Sequence, residues 1–381
     1  MNIVYCTNCI STIGGVERVI AAKASALSKI SGNNVWIAVS KHTGTPSGLD
    51  ERVKVVNLDI NYYEGTENDG RLIQLLKLLS KQRLHRLRLK RLFEDIKPDI
   101  VLSTGQLEKN ILTSLRSYSR VLIREMHTAS DCRLFYANTV YERLVARICD
   151  FLDYRVAISR YDRIVLLTEE DKYRCWNNNK KAIVIPNPLI INHTKRSMLD
   201  RKVVLSVGKL TRGKNFAAQI RSWAKIHSRY PDWKLAIVGD GEEKANLDTL
   251  IRQLQLTDCV DLIGAKDDIS DYMAGASVFL STSLSEGFGL VIIEAMSFGI
   301  PVVSYDCPCG PKDIISDGID GFLVPTGNEQ MLTEKICCLI EHDDMRKRMG
   351  GCALKSVERF SMGVIVGKWL ALFKDLMASK Q

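Results

Sequence analysis

Short β-branched runs alternate with longer stretches of helical periodicity along almost the whole chain. Ile3–Cys6, Val35–Ser40, Val53–Leu58, Asp99–Thr104, Arg120–His127 and Ile164–Thr168 predict strands. Val16–Ile30 and stretches around 71–97, 108–117 and 138–157 predict helices among them. Strands separated by helices imply an α/β fold, a parallel sheet with helices on both faces. Lys181–Pro188 (K-A-I-V-I-P-N-P) reads as the last strand of this set, broken by Pro186 and Pro188. A polar, irregular linker follows over Leu189–Lys202, with Asn192, His193, Thr194, Lys195 and Arg196. The pattern then restarts. Val203–Gly208, Trp233–Gly239, Val260–Gly264, Ala276–Ser283, Pro301–Asp306 and Gly321–Pro325 predict strands. Phe216–Arg229, Glu242–Gln255, Leu290–Phe298 and Glu329–His342 predict helices. The expected division is a first domain over 1–188, the linker 189–202, a second domain over 203–360 and a tail over 361–381. The tail stretch Phe360–Met377 is amphipathic and needs apolar surface for Trp369, Leu370, Leu372 and Phe373.

A length of 381 residues suits two domains. No run reaches the ~18 apolar residues of a membrane span, and the first residues lack the basic start and cleavage site of a signal peptide. The 11 cysteines include the close pairs Cys6/Cys9, Cys307/Cys309 and Cys337/Cys338, but no second C-x-x-C at zinc-like distance. Free thiols in a reducing, cytoplasmic setting and no bound metal are expected. Charge is uneven: residues 1–200 hold 31 Lys/Arg against 21 Asp/Glu, and residues 201–381 hold 22 against 23. Much of the excess lies in Arg71–Phe93, with Arg71, Lys77, Lys81, Arg83, Arg86, Arg88, Lys90 and Arg91 and no acid before Glu94. Ten leucines and isoleucines run between them. Such a helix fits an anionic membrane surface, at about 1 kcal/mol per basic residue near the headgroups. An ordinary packed helix with a solvated basic face is the other reading. No nucleic-acid motif accompanies the run.

Candidate chemistry concentrates in Ser285–Pro301 (S-E-G-F-G-L-V-I-I-E-A-M-S-F-G-I-P). Strand, glycine-bearing loop and helix follow one another here. Glu286 falls on the loop, and Glu294 lies just over one turn into the helix. Backbone N–H groups near Gly287 and Gly289 and the helix N-terminus would attract an anion between the two carboxylates. A ligand with both hydroxyls and phosphates, such as a sugar nucleotide, fits. Gly208–Asn215 (G-K-L-T-R-G-K-N) nearly matches a phosphate-binding P-loop, with Asn215 in place of the magnesium-binding hydroxyl. Lys209 and Lys214 on that loop could neutralise a diphosphate. A second glycine-bearing loop closes on Gly14-Gly15 before the first helix, with Glu17 and Arg18 in its first turn. No G-x-G-x-x-G opens a helix after a strand, which argues against a dinucleotide dehydrogenase. His127 ends the strand V-L-I-R-E-M-H, where a parallel sheet places ligands.

Together these stretches resemble the retaining glycosyltransferases of family 4. Glu286–Glu294 looks like their E-x7-E motif. The likeness extends in order through G-G-V-E-R (14–18), I-P-N-P (185–188), V-G-K-L-T-R-G-K-N (207–215), I-V-G-D-G (237–241) and D-G-I-D-G-F-L-V (317–324). The resemblance implies a GT-B fold: two Rossmann-like domains facing across a cleft, the first for the acceptor and the second for the nucleotide sugar, with the C-terminal helix crossing back to the first. It implies that Lys209, Lys214 and the N–H groups of Phe288, Gly289 and Leu290 meet the diphosphate. By the same resemblance Glu294 binds ribose, Glu286 the donor sugar near its reacting carbon, Gly15 the diphosphate, and His127 a sugar hydroxyl. Lys209 stands where the family commonly has Arg, and so offers a point charge without a fork. The implied activity is metal-independent, retaining transfer of a hexose or N-acetylhexosamine from an NDP-sugar, expected to be UDP-linked, with no cofactor. The expected acceptor is a glycan or lipid-linked sugar of bacterial surface polysaccharide assembly. The chain would then be cytoplasmic and peripheral on the inner membrane face. A soluble-acceptor transferase of the same fold, or a non-catalytic nucleotide-binding protein, are the alternatives.

Overall fold

Two parallel sheets account for the alternating pattern. The computed structural model describes residues 1–10, 14–41, 44, 48–62, 70–137, 139–153, 158–176, 179–191 and 193–380. Residues 11–13 of the first glycine loop, 138 and 154–157 of the expected fourth helix, and Asn192 of the linker lie outside them. The first sheet comprises β1 Asn2–Thr7, β2 Asn34–Val39, β3 Val53–Asn57, β4 Ile100–Ser103, β5 Val121–Glu125, β6 Arg163–Leu166 and β7 Ala182–Val184. Its order is β3-β2-β1-β4-β5-β6-β7. The second comprises β8 Val203–Val207, β9 Lys234–Val238, β10 Val260–Gly264, β11 Val278–Ser281, β12 Val302–Asp306 and β13 Gly321–Pro325, in the order β10-β9-β8-β11-β12-β13. In each sheet the order reverses beside the first strand, between β1 and β4 and between β8 and β11. Loops leave such a point in opposite directions and open a crevice at the strands' carboxyl ends.

The chain divides into two compact units. One is Met1–Leu167 with Lys172–Ile190 and Met362–Gln381; the other is Thr168–Asp171 with Ile191–Ser361. Helices α1 Gly15–Ser28, α2 Arg71–Ile96, α3 Lys109–Ser114, α4 Cys132–Tyr136, α5 Val140–Phe151 and α6 Glu169–Trp176 precede the second sheet. Helices α7 Phe216–His227, α8 Lys244–Gln253, α9 Ser270–Ala274, α10 Leu290–Ser297, α11 Pro311–Ile314, α12 Glu329–Glu341 and α13 Asp343–Ser356 follow, and α14 Met362–Ala378 ends the chain. The apolar stripe of α14 (Ile365, Val366, Trp369, Leu372, Phe373, Leu376) shares a core with Ile3 and Tyr5 of β1 and Ile20, Ala24 and Leu27 of α1. Burying each large member removes it from water at a gain of about 1.5–3 kcal/mol. Leu370, expected on the same face, is only partly buried.

The stretch expected to be helical over 108–117 divides into α3 and a 3₁₀ turn over Arg116–Tyr118. Helices α4, α6, α9 and α11 are too short to show a period, and α13 carries Gly350 and Gly351 within a largely charged sequence. Those five escaped the pattern for that reason.

Two helices of the first unit leave apolar surface outside. The second half of α2 is anchored: Leu89 and Phe93 are buried, His85 Nδ1 lies 2.9 Å from Tyr62 Oη, and Arg88 donates to the carbonyls of Leu58 and Asp59. Its first half exposes Leu72, Leu75, Leu76 and Leu79. Helix α5 opens on a capping box, Thr139 Oγ1 accepting from Glu142 N and Glu142 Oε2 accepting from Thr139 N. It is packed inside out. Ala146 and Asp150 face inward, Asp150 paired with Arg133 at 2.9 Å, while Val140, Tyr141, Leu144, Ile148 and Phe151 are exposed.

Candidate active site

In the second unit, the loops after β8 and β11 are laced together before any ligand is considered. The turn Arg212–Lys214 is 3₁₀, and Asn215 takes a left-handed φ of 51° before α7. Asn tolerates that conformation better than most residues. Asn215 therefore has a backbone reason to stand where a P-loop has its hydroxyl. Leu284 N donates to Gly213 O at 2.8 Å, and Thr282 Oγ1 donates to the carbonyls of Lys214 (3.2 Å) and Asn215 (3.0 Å). Gln219 of α7 adds bonds to Ser206 and Thr282.

This lacing sets Lys214 Nζ 2.5 Å from Glu286 Oε1, which also accepts from Ser283 Oγ at 2.6 Å. The two side chains are 31% and 10% exposed, so the pair is open to an incoming ligand. Lys209, on the same loop, is exposed and makes no ion pair among the described residues. Three residues after Glu286, Gly289 begins α10 with φ 100°, a left-handed position that favours glycine. No side chain caps this helix start; apart from Ile292 N, which donates to Gly289 O at 2.9 Å, the N–H groups of its first turn are available to an anion. Phe288 is fixed by an edge-on contact with Phe360, ring centroids 5.5 Å apart. A Cβ at Gly310 would lie 2.1 Å from the Phe288 carbonyl oxygen, so glycine is what lets the 307–310 loop close under this turn. Glu294 sits on the inward face of α10, only 2% exposed. Its carboxylate thus lies inside the unit, whereas that of Glu286 lies at its edge.

In the first unit, His127 follows β5 with its side chain 5% exposed. Neither ring nitrogen makes a hydrogen bond among the described residues, and Nε2 lies 3.5 Å from Glu125 Oε1. Glu125 is ion-paired with Lys23 of α1, both 1% exposed. The Lys23 ammonium lies 4.7 Å from the Trp369 ring centroid on α14 and 5.8 Å from that of Tyr5. Burial pushes Lys23 below the ordinary lysine value despite Glu125. Burial alone would raise Glu125, but Lys23 above all outweighs it and holds the carboxyl below its usual range. Burial also pulls His127 down to about 4, with Lys23 and Arg124 acting the same way and Glu125 against them. The imidazole is therefore neutral near pH 7. Gly15 is the first residue of α1 and is exposed.

Lys214, Glu286 and the Phe288–Leu290 turn are thus brought together within the second unit, and Gly15 and His127 belong to the first. Residues not foreseen are Thr282, which holds the lysine loop, Ser283, which donates to Glu286, and Lys23 and Glu125 beneath His127. A signal for the last two was present: a lysine amid the alanines of V-I-A-A-K-A-S-A-L, and a charged pair inside the apolar strand V-L-I-R-E-M.

Comparison with known proteins agrees with this arrangement. Residues 191–355 match the family model described as glycosyl transferases group 1. An uncharacterized glycosyltransferase of Haemophilus influenzae is 33% identical over 237 residues, 61% of this chain and 65% of that protein. The amylovoran biosynthesis glycosyltransferase AmsD of Erwinia amylovora is 32% identical over 217 residues, 55% of this chain and 61% of its own. The matches therefore span less than two thirds of either relative. Among solved structures, a point mutant of S. aureus TarM, in complex with fondaparinux, α-GlcNAc-glycerol and UDP, superposes with a TM-score of 0.76 at 15% identity, over 98% of this chain and 99% of that one. The likeness is one of fold, and the fold is GT-B.

Proposed function

With the second unit a group 1 glycosyl transferase domain, we propose that the chain transfers a hexose or N-acetylhexosamine from a nucleoside-diphosphate sugar, with retention and without a metal. Uridine is the base we favour, since TarM was solved with UDP. The observation that carries this reading is the Lys214–Glu286 pair beside the uncapped start of α10. A diphosphate arriving there gives Lys214 a stronger anionic partner and meets Lys209 and the N–H groups of Phe288–Leu290. Glu286, released, takes hydroxyls of the transferred sugar, and Glu294 takes those of the ribose. As the glycosidic bond breaks, negative charge grows on the leaving diphosphate and positive character on the sugar carbon. Two lysines and a helix N-terminus stabilise the first, an electrostatic contribution of a few kcal/mol per well-placed donor. The acceptor then attacks on the face the diphosphate leaves, a phosphate oxygen taking its proton. In the first unit, the roles we assign are Gly15 against phosphate and His127 on a sugar hydroxyl.

The acceptor class we favour is a lipid-linked glycan in bacterial surface polysaccharide assembly, in keeping with the amylovoran relative. No helix among the described residues is long and apolar enough to cross a membrane. The exposed leucines of α2, the cations Arg83, Arg86 and Arg91, and the outward apolar face of α5 instead suit attachment to an anionic bilayer surface. The test is nucleotide release from a panel of UDP- and other NDP-sugars with a bacterial lipid extract as acceptor. Release by the parent, largely abolished by Glu286→Gln and by Glu294→Gln, is expected. No release from any donor would leave a nucleotide-binding protein without transfer. Co-sedimentation with phosphatidylglycerol vesicles at low salt tests the membrane part, and absence of binding there would sink it.

A further inference from the structure

Beneath His127 lies a chain of buried polar groups contributed by α1 and β5, and its order fixes what the imidazole can do. Lys23 of α1 touches Glu125 of β5, and Glu125 Oε1 in turn lies 3.5 Å from His127 Nε2. All three side chains are at least 95% buried. A neutral imidazole carries one N–H and one bare nitrogen, and the partner of one nitrogen decides the state of the other. The ring nitrogen nearest a carboxylate keeps the proton, because a bare nitrogen there would set lone pair against lone pair. Glu125 must stay ionised to play this part. Lys23 secures that at close range, and the faces of Tyr5 and Trp369 accommodate the ammonium on its other side.

We propose that Lys23 and Glu125 are positioning residues that lock His127 as its Nε2–H tautomer, leaving Nδ1 bare to accept a hydrogen bond from a hydroxyl of the sugar substrate. The inference rests on the reading that His127 touches sugar. It adds that His127 is an acceptor there and never a donor or a cation. The charged and titratable groups bearing on the ring are Glu125 and Arg124 of β5, Lys23 of α1 and, through Lys23, Tyr5 of β1. Both ring nitrogens are buried and lack a hydrogen-bond partner among the described residues, and the approach of Glu125 Oε1 to Nε2 at 3.5 Å is what tells them apart.

The tautomer can be read directly by long-range ¹H–¹⁵N correlation on the full chain with ¹⁵N-labelled histidine, the His127 signals assigned by their loss in His127→Gln. The expected pattern is a protonated Nε2 and a bare Nδ1, unchanged from pH 8 to pH 5.5. A protonated Nδ1, or a midpoint near 6.5, overturns the proposal. The kinetic arm uses the double substitution Lys23→Met with Glu125→Gln. This removes both buried charges at once and so leaves neither stranded. The Gln amide can offer Nε2 either its oxygen or its N–H, so the lock is lifted. With folding of the first unit confirmed by unchanged hydrogen-exchange protection, kcat on UDP-glucose or UDP-N-acetylglucosamine is expected to fall about tenfold, the loss of one hydrogen bond, with mixed tautomer signals. Parental kcat in the double variant overturns the proposal. The tautomer is measured without substrate, so its failure is distinct from failure of the transfer reading, which shows instead as no nucleotide release by the parent.

Discussion

The two units carry their charges in opposite ways. In the second, Lys214 and Glu286 meet at the edge of the unit, partly in water, on loops held by backbone and hydroxyl bonds. In the first, Lys23 and Glu125 meet in the core, against aromatic faces and beneath a dry histidine. An edge pair is cheap to break, which suits groups that must exchange partners with a diphosphate. A core pair is expensive to break, which suits groups that hold a third residue in place and are never released. The same residue types, Lys and Glu, thus serve binding in one unit and positioning in the other, and solvent decides which.

The largest expected effect turns on that difference. Lys23→Met strands a buried carboxylate and should destabilise the chain by about 3–5 kcal/mol. Lys214→Met should cost no more than about 1 kcal/mol, since its pair is partly exposed and solvent-screened. Urea unfolding followed by hydrogen exchange, which resolves the two units, checks both. Equal losses would dissolve the contrast.

Acid is the next probe. His127 and His85, both in the first unit, are lowered from an ordinary 6.5 to about 4 by burial. The unfolded chain binds these protons first as pH falls. Their contribution is therefore complete above pH 6.5 and is lost as pH drops from about 6.5 to 4, by roughly 3 kcal/mol each at the end of that window. Glu125, held low, adds to the loss below its unfolded value, and Glu108, raised by burial, works against it. The first unit should therefore lose exchange protection before the second between pH 6 and 4. His127→Gln should reduce the slope by one proton. Were the second unit to open first, the buried network would not be what limits acid stability.

How far the sequence could be read follows the same division. The alternation of β-branched runs and helical stretches gave both sheets, because parallel strands buried on both faces leave a plain apolar signature. Glu286, Gly289 and Glu294 stand out as candidates because they cluster around one strand–loop–helix turn, and Lys209 and Lys214 because they share another, Lys214 lying 72 positions before Glu286. Lys23 and Glu125 are 102 positions apart and become neighbours only because β1 and β4 place α1 near β5. Local pattern carries no such information. The inside-out packing of α5 was hidden for a related reason. Its apolar stripe is an ordinary amphipathic signal, whereas the residues buried in the fold are Ala146 and Asp150, the latter paired with Arg133.

A subtler effect is expected at Gly289. Its φ of 100° lies where an L-residue is strained, and a Cβ would approach Ile292 Cδ1 at 3.1 Å. Gly289→Ala should cost about 1–2 kcal/mol. It should also weaken UDP binding measured by calorimetry, because the start of α10 must shift. A loss of stability with unchanged UDP affinity would separate this turn from the anion site.

The smallest effect on stability is the one that tests the outward face of the first unit. Leu144→Glu or Ile148→Glu on α5 replaces a side chain that is already half or more exposed, so the unfolding midpoint should stay within about 0.5 kcal/mol of the parent. Binding to vesicles should respond strongly. If α5 enters the bilayer while the cations of α2 meet headgroups, the glutamate variants lose the binding that survives at high salt. Arg83→Glu with Arg86→Glu then loses the part that high salt removes. A large stability loss from Leu144→Glu would instead mean that this face is covered within the chain.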